Sequence, residues 1–426
     1  MNSLRAAVEG KGIGHLIQRG GAITGRYGLT SDKMDRALAT FADILEAHGC
    51  GATFPLTAIT LARGRWDPGR YRARNIEFAV HGLCHVDHSR LTPAQLDDHL
   101  RRARGLFADH GLEPAGFRCP YLRWNEETLA AVRRAGFRYD SSGSLVWPVV
   151  NGRATETYEH VLRFYGARPA ADFPALPTIE GGLVRMPYAL PDDEAFVDRL
   201  GLTDSEMAEL WLAVLEQTHR LGELFVLGLH PERVAACAAA LQATLRAARS
   251  LSPGVWIARL DEIAAWWMAR AAAAATCVAI SPGRYVIRID GPPGATVLGR
   301  AVEPAVGSAP WDGAYRRIHA LEFEVAAASR PFIGLTTRSA PGLRAFLVEQ
   351  GYFVETTGAD MAHEFILDWP EFGPADRRPV LAAVEDGRFP LVRLGRWPHG
   401  HRSALTITGD IDALTLWDYG LRLFGR

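Results

Sequence analysis

Along roughly the first two thirds of the chain, stretches with apolar residues at helical spacing alternate with short unbroken apolar runs. That is the pattern of an α/β domain built on a parallel sheet. Ser31 precedes a helical run through Leu45 that Gly49 and Gly51 end, and Ala52–Leu56 then predicts a strand. Glu77–Val80 predicts the next one. Thr92 is placed to cap a helix to Ala108 with Leu96, Leu100 and Leu106 on its apolar side. Gly116–Arg118 leads into a further strand, Asn125 caps a helix over Glu126–Ala135, and Phe137–Asp140 is extended again. Helices over Asp204–Leu221 and Val234–Ala248 flank the apolar strand Leu224–Leu229, which ends at His230, and Trp256–Arg259 follows. Parallel α/β folds collect their chemistry at strand C-termini, so the residues just past these runs are the candidates.

The texture changes near Thr276. Cys277–Ile280, Tyr285–Ile289 and Leu321–Val325 are short alternating runs separated by Gly and Pro, as in a small β-rich module. Pro331–Leu335, a helix over Pro341–Glu349, and Tyr352–Val354 read as one strand-helix-strand unit. From Trp397 the chain returns to a strong strand, Ala404–Thr408. The expected division is a domain over 1–275, a β-rich and α/β module over 276–395, and a closing segment over 396–426.

Composition narrows the partners. With 426 residues, 48% hydrophobic, 22% charged and a net charge of −1, the chain has ordinary globular make-up and no bulk attraction to nucleic acid or anionic membrane. Its five cysteines are scattered, with no Cys-x-x-Cys pair, which argues against a disulfide framework or a thiolate zinc knuckle and fits a reducing cytosol. Residues 1–26 lack the apolar core of a secretory signal. Ile263–Ile280 is interrupted by Arg270 and reads as a buried helix running into a strand, so no membrane span and a cytoplasmic location are expected.

The candidate chemistry is split between distant parts of the chain. His81 and His85, four apart just beyond the second strand, can share one side of a helical turn or compact loop and bind one cation, or serve structurally. Asp87 and His88 crowd the same loop, as supporting groups or caps. Asp410 and Asp412 share a face if Leu405–Asp412 stays extended; they suit one ligand and one base, or a capping pair at a turn. Pro120 holds Cys119 extended, which can aim Arg118 and a backbone N–H into a site, or Arg118 can be a surface ion-pair partner. Asp140 with Trp147 can supply an aromatic wall, or Trp147 can be core, and His230 arrives from another strand end as a site group or a structural loop histidine.

In order, these segments resemble the polysaccharide deacetylases, a carbohydrate esterase family with nodulation-type deacetylase homology. His81 and His85 match its His-x-x-x-His pair, Arg118, Pro120 and Tyr121 its Arg-x-Pro-Tyr segment, Asp140 and Trp147 its aspartate-to-tryptophan segment, and His230 its late Leu-x-His. The resemblance covers roughly residues 30–270 and the last 30. One departure concerns the acids, which in the family precede the first helix. Here Gly21–Tyr27 has no carboxylate, and Trp397–Asp410 looks like the missing first strand, as in a circular permutation. Another is Asp410-Ile411-Asp412 where the family has adjacent aspartates.

The resemblance implies a distorted (β/α) barrel completed by the C-terminal strand, with the smaller module inserted. It further implies a metal-dependent hydrolase that removes an N-acetyl group from an amino sugar or glycan. A divalent cation, taken as Zn²⁺, would sit on Asp412, His81 and His85. Asp410 would be the base held by Arg118, the Tyr121 N–H would donate to the oxyanion, and His230 would be the acid, held or shielded by Asp140 and Trp147. Tyr121 and Trp147 would also contact substrate. The rivals are a metal-dependent amidase acting on a non-sugar amide and a non-catalytic glycan-binding or assembly scaffold.

Overall fold

The structure is a computed structural model and describes residues 20–63, 66–357 and 362–422. Its centre is a twelve-stranded sheet. Six of those strands position the site: β1 (Ala52–Leu56), β2 (Ile76–Val80), β3 (Gly116–Phe117), β4 (Tyr139–Asp140), β5 (Leu224–Leu229) and β6 (Ser403–Gly409). Across the sheet they run β5-β6-β1-β2-β3-β4; Tyr188–Leu190 joins beyond β5 and Leu183–Arg185 beyond β4. The pairing is parallel except between Thr178–Glu180 and Leu183–Arg185. The sheet curls into a half barrel of α/β type.

Every residue of β1, β5 and β6 is buried. Covered on both faces, these strands read as continuous rather than alternating apolar runs. β6 takes its place by register: Leu224 to Leu229 of β5 pair one to one with Ala404 to Gly409, and Thr53 of β1 pairs with Thr408. Past the strand, Asp410 N–H donates to the Leu229 carbonyl at 2.9 Å and Ile411 N–H to the Pro55 carbonyl at 2.7 Å. The chain therefore stays extended between β5 and β1. Ile411 drives into the core with no exposed surface.

The flanking helices follow from their caps and apolar faces. α1 (Asp32–Ala47) buries Met34, Leu38, Phe41, Ala42, Ile44 and Leu45. α2 (Pro93–Asp109) starts in a reciprocal capping box between Thr92 and Gln95, and α3 (Glu126–Arg134) in one between Asn125 and Thr128. α4 (Asp204–Leu221), α5 (Val234–Ser250) and α6 (Leu260–Ala271) complete the set. Two expected strands are shorter than their patterns. Phe137 N–H still closes the last turn of α3 on the Val132 carbonyl, so only Tyr139–Asp140 pairs. Arg259 is already the N-cap of α6, which ends its strand at Ile257.

After α6, Ala274–Ser281, Arg284–Asp290, Glu322–Ala326 and Glu303–Pro304 form one four-stranded sheet. Val297–Arg300, Ser308–Asp312, Tyr315–Ile318 and Leu391–Leu394 form another. Ile333–Leu335 and Val354–Thr356 pair in parallel around the helix Pro341–Glu349. Among the described residues no helix is long and apolar enough to cross a membrane.

Because β6 is interior, its side chains are expected to carry more stability than exposed ones in the later sheets. Ile407, with no exposed surface, should cost about 2–5 kcal/mol when cut to alanine. Val278 of the Ala274–Ser281 strand, 53% exposed, should cost under about 0.5 kcal/mol. Urea midpoints of the two variants check this; equal losses would mean that β6 is not part of the folding core.

Candidate active site

The loop after β2 turns at Gly82, whose φ of +77° favours glycine; a Cβ there would meet the His88 ring at 2.7 Å. The turn carries both His81 and His85 back over the strand end. The His81 N–H donates to the Leu56 carbonyl at 2.9 Å, and its Nδ1 lies 2.9 Å from the Arg118 carbonyl oxygen. A carbonyl oxygen only accepts, so Nδ1 holds the proton and Nε2 presents a lone pair. That Nε2 is 3.3 Å from Asp412 Oδ1, and the Nε2 of His85 is 3.2 Å from the same oxygen. Burial first, then Arg422, pushes His85 down to about 3, so the ring is neutral near pH 7.

Asp412 Oδ1 is buried and receives no hydrogen bond. Buried polar atoms without partners are rare. A carboxylate oxygen between two imidazole nitrogens is the donor set of a divalent cation, and these three residues form a group able to hold one. The other oxygen of Asp412 is held by Arg422, at the end of α7 (Leu416–Arg422). Burial alone would raise Asp412; Arg422 and His85 outweigh it and hold the acid well below its usual range.

Asp410 lies on the same side, two residues back. Its Oδ1 accepts from Arg118 Nη1 at 2.5 Å, and its Oδ2 lies 4.0 Å from His81 Nε2. Arg118 is fully buried and its donors are spread over Thr408 Oγ1 and the carbonyl and hydroxyl of Ser141. Such a fork admits little freedom. Cys119 is extended before Pro120, as expected, and Tyr121 follows with φ +59°. A non-glycine residue in that region costs about 1–3 kcal/mol, which the surrounding packing must offset. The Tyr121 ring packs edge-on against His85 with centroids 4.3 Å apart.

His230 follows β5, and both its N–H and its Nδ1 lie 2.7 Å from the carboxylate of Asp193. Burial opposes a charge on this ring, but Asp193 outweighs it and raises the imidazole to about 10. His81, His85, Tyr121, Asp410, Asp412 and His230 line one cleft, with a free volume of about 30 Å³, room for a single water.

Two expected residues lie elsewhere. Asp140 does not hold His230: it accepts from Ser142 Oγ and faces Arg185 at 3.4 Å. It sits at the end of β4, on the other side of β3, while His230 arrives on β5. Trp147 is buried in the hydrophobic core and is not among the residues lining the cleft, where the aromatic wall was expected. Asp87 caps the turn His88–Arg90, and His88 packs on Phe117.

Sequence reading missed Asp193 and Arg422. The run Asp192-Asp193-Glu194, just past the buried strand Tyr188–Leu190, was a legible signal of carboxylates at a strand end. Arg422 gave none.

The family model described as polysaccharide deacetylase matches residues 24–139. That stretch holds the histidine pair and the Arg118–Tyr121 segment, while both acids of β6 fall outside it. A peptidoglycan deacetylase-like protein of Gibberella zeae is 40% identical over 67 residues, which are 16% of this chain and 20% of that protein. The match thus spans a fifth of that relative's length. A Mycobacterium smegmatis structure described as a polysaccharide deacetylase is 20% identical, with 62% of this chain and 86% of that one covered at a TM-score of 0.44. The PuuE allantoinase structure is also 20% identical, with 55% and 72% covered at 0.44. Likenesses this distant carry no part of the assignment. Through residues 24–139, the chain matches the family model of the polysaccharide deacetylases.

Proposed function

We propose that the chain is a metal-dependent N-deacetylase acting on an acetylated amino sugar or glycan. The observation that supports this reading most is the meeting of His81 Nε2, His85 Nε2 and the unpartnered Asp412 Oδ1, with Asp410 and His230 around the same cleft. His81, His85 and Asp412 would hold a divalent cation, and two imidazoles with one carboxylate favour zinc. When bound, such a cation supplies Lewis acidity toward a carbonyl and a water molecule.

The chain's own groups divide the proton work. Asp410, fixed by Arg118, takes a proton from the attacking water as its oxygen bonds to the acetyl carbon. The Tyr121 N–H, turned by its left-handed backbone, donates to the acetyl oxygen as that oxygen gains charge. Protonated His230 gives its proton to the departing nitrogen as the C–N bond breaks. Acetate and a free amine leave. Asp193, rather than Asp140, keeps His230 charged and oriented. β6 supplies the acids from the far end of the chain, in keeping with a circular permutation of the family order.

Metal titration separates the roles. His81→Ala, His85→Ala and Asp412→Asn should each lose zinc, whereas Asp410→Asn should bind it nearly normally and lose acetate release. Zinc lost from Asp410→Asn but kept by Asp412→Asn would reverse the two acids.

His230→Ala should keep zinc and lose turnover by about 10²–10⁴-fold, the usual contribution of a general acid. Acetate release from N-acetylated amino sugars, set beside simple acetamides, checks both the step and the substrate class. Equal rates on the two panels would favour the non-sugar amidase.

The charge on His230 also makes a statement about stability. Its folded value, about 10, lies above the ordinary 6.5, so its contribution is complete below about pH 6.5 and fades as pH rises toward 10. Asp193→Asn should flatten that decline in urea midpoints measured across the window. An unchanged slope would mean that the pair is not charged in the folded chain.

A further inference from the structure

A cavity of about 330 Å³ lies between the catalytic sheet and the later module. It lies at the opposite end of β5 and β6 from the cleft. Gly222 and Glu223, just before β5, and Arg402, just before β6, line it. The six residues of β5 separate the two places by roughly 20 Å. The far wall comes from the Ser308–Asp312 and Tyr315–Ile318 strands and the Arg377–Glu385 helix.

Five arginines line this cavity against four acids. Three of them are neutralised: Arg378 meets Glu223, Arg393 meets Glu385 and Arg402 meets Asp312. Arg396 donates to the carbonyls of Leu221 and Gly222 and meets no carboxylate, and Arg220 is exposed without an ion-pair partner among the described residues. The remaining acid, Asp386, leaves one positive charge in excess. Like charges also crowd: burial first and then Arg220 hold Arg402 below the usual arginine range. Beside the arginines lies an apolar floor, with Leu298 and Leu381 buried. Trp311 is fixed by its indole N–H on the Gly400 carbonyl at 2.8 Å and stands edge-on to Tyr315.

The volume is that of a small-molecule site. Guanidinium forks match phosphate oxygens two at a time, and an indole face accepts a flat ring. From this juxtaposition we propose that the cavity is a second binding site, distinct from the catalytic cleft, for a ring-bearing organic phosphate such as a nucleoside diphosphate.

Calorimetric titration of the full chain with uridine diphosphate tests this, with uridine and inorganic phosphate as the separate halves. The diphosphate should saturate one site and bind at least about tenfold more tightly than either half, since a single charge-assisted bond is worth about that factor. Arg220→Glu, a change at an exposed side chain, should weaken it about tenfold. Ala382→Trp, which fills the cavity from an exposed helix position, should abolish it. His81→Ala should leave it unchanged. The proposal is overturned if the diphosphate fails to saturate, if inorganic phosphate binds as tightly, if neither cavity variant alters binding, or if His81→Ala removes it.

Discussion

The parallel pairing of β6 between β5 and β1 is the constraint on which the site depends. One strand from the end of the chain must lie in register with two strands formed some 180 and 350 residues earlier. Slippage by one residue would turn every side chain of β6 to the other face. Asp410 and Asp412 would then point into the core and Ile411 into the cleft. Register is therefore held hard, by six successive pairs with β5 and by the hydrogen bonds of Asp410 and Ile411 just beyond the strand. The same placement lets Arg118, from the end of β3, reach Thr408 and Asp410 together.

Within that frame the buried charges fall into two centres. Around Asp412, a depressed carboxylate faces the Nε2 lone pair of His81 and the Nε2 of a neutral His85. Around His230, Asp193 sustains a cation against burial. Buried groups pushed apart in this way suit the proposed separation of a cation-holding centre from a proton-donating one. Asp192, Asp193 and His230 also form a group with metal-ligand atoms in range. In that group, however, His230 Nδ1 is committed to Asp193, and Asp192 is raised to about 6, chiefly by burial and then by its neighbour Asp193. A carboxyl that is readily protonated suits a hydrogen bond better than a cation.

Much of this was legible because local signals were strong. The caps Thr92 and Asn125, the apolar runs of β1, β2 and β5, and the texture change after α6 each follow from short-range physics. The histidine spacing and the Arg118–Tyr121 segment are likewise local. Illegible parts depend on tertiary geometry. Asp140 ends a strand as a ligand-holding acid would, yet nothing in its neighbourhood in sequence says that β4 lies two strands beyond β2 while His230 arrives on β5. Asp193 follows a three-residue strand, too short for a periodicity signal. Arg422 reaches Asp412 only because α7 folds back over the strand end. Trp147 shows the reverse case: of its two readings, aromatic wall or core, packing takes the core.

Anomalous diffraction at the zinc edge, from crystals grown with one equivalent of zinc, tests the central claim most directly. The account expects one peak enclosed by His81, His85 and Asp412, with Asp410 close by but not in contact. A peak at Asp192, Asp193 and His230, or an active protein with no peak at the histidine pair, would contradict it.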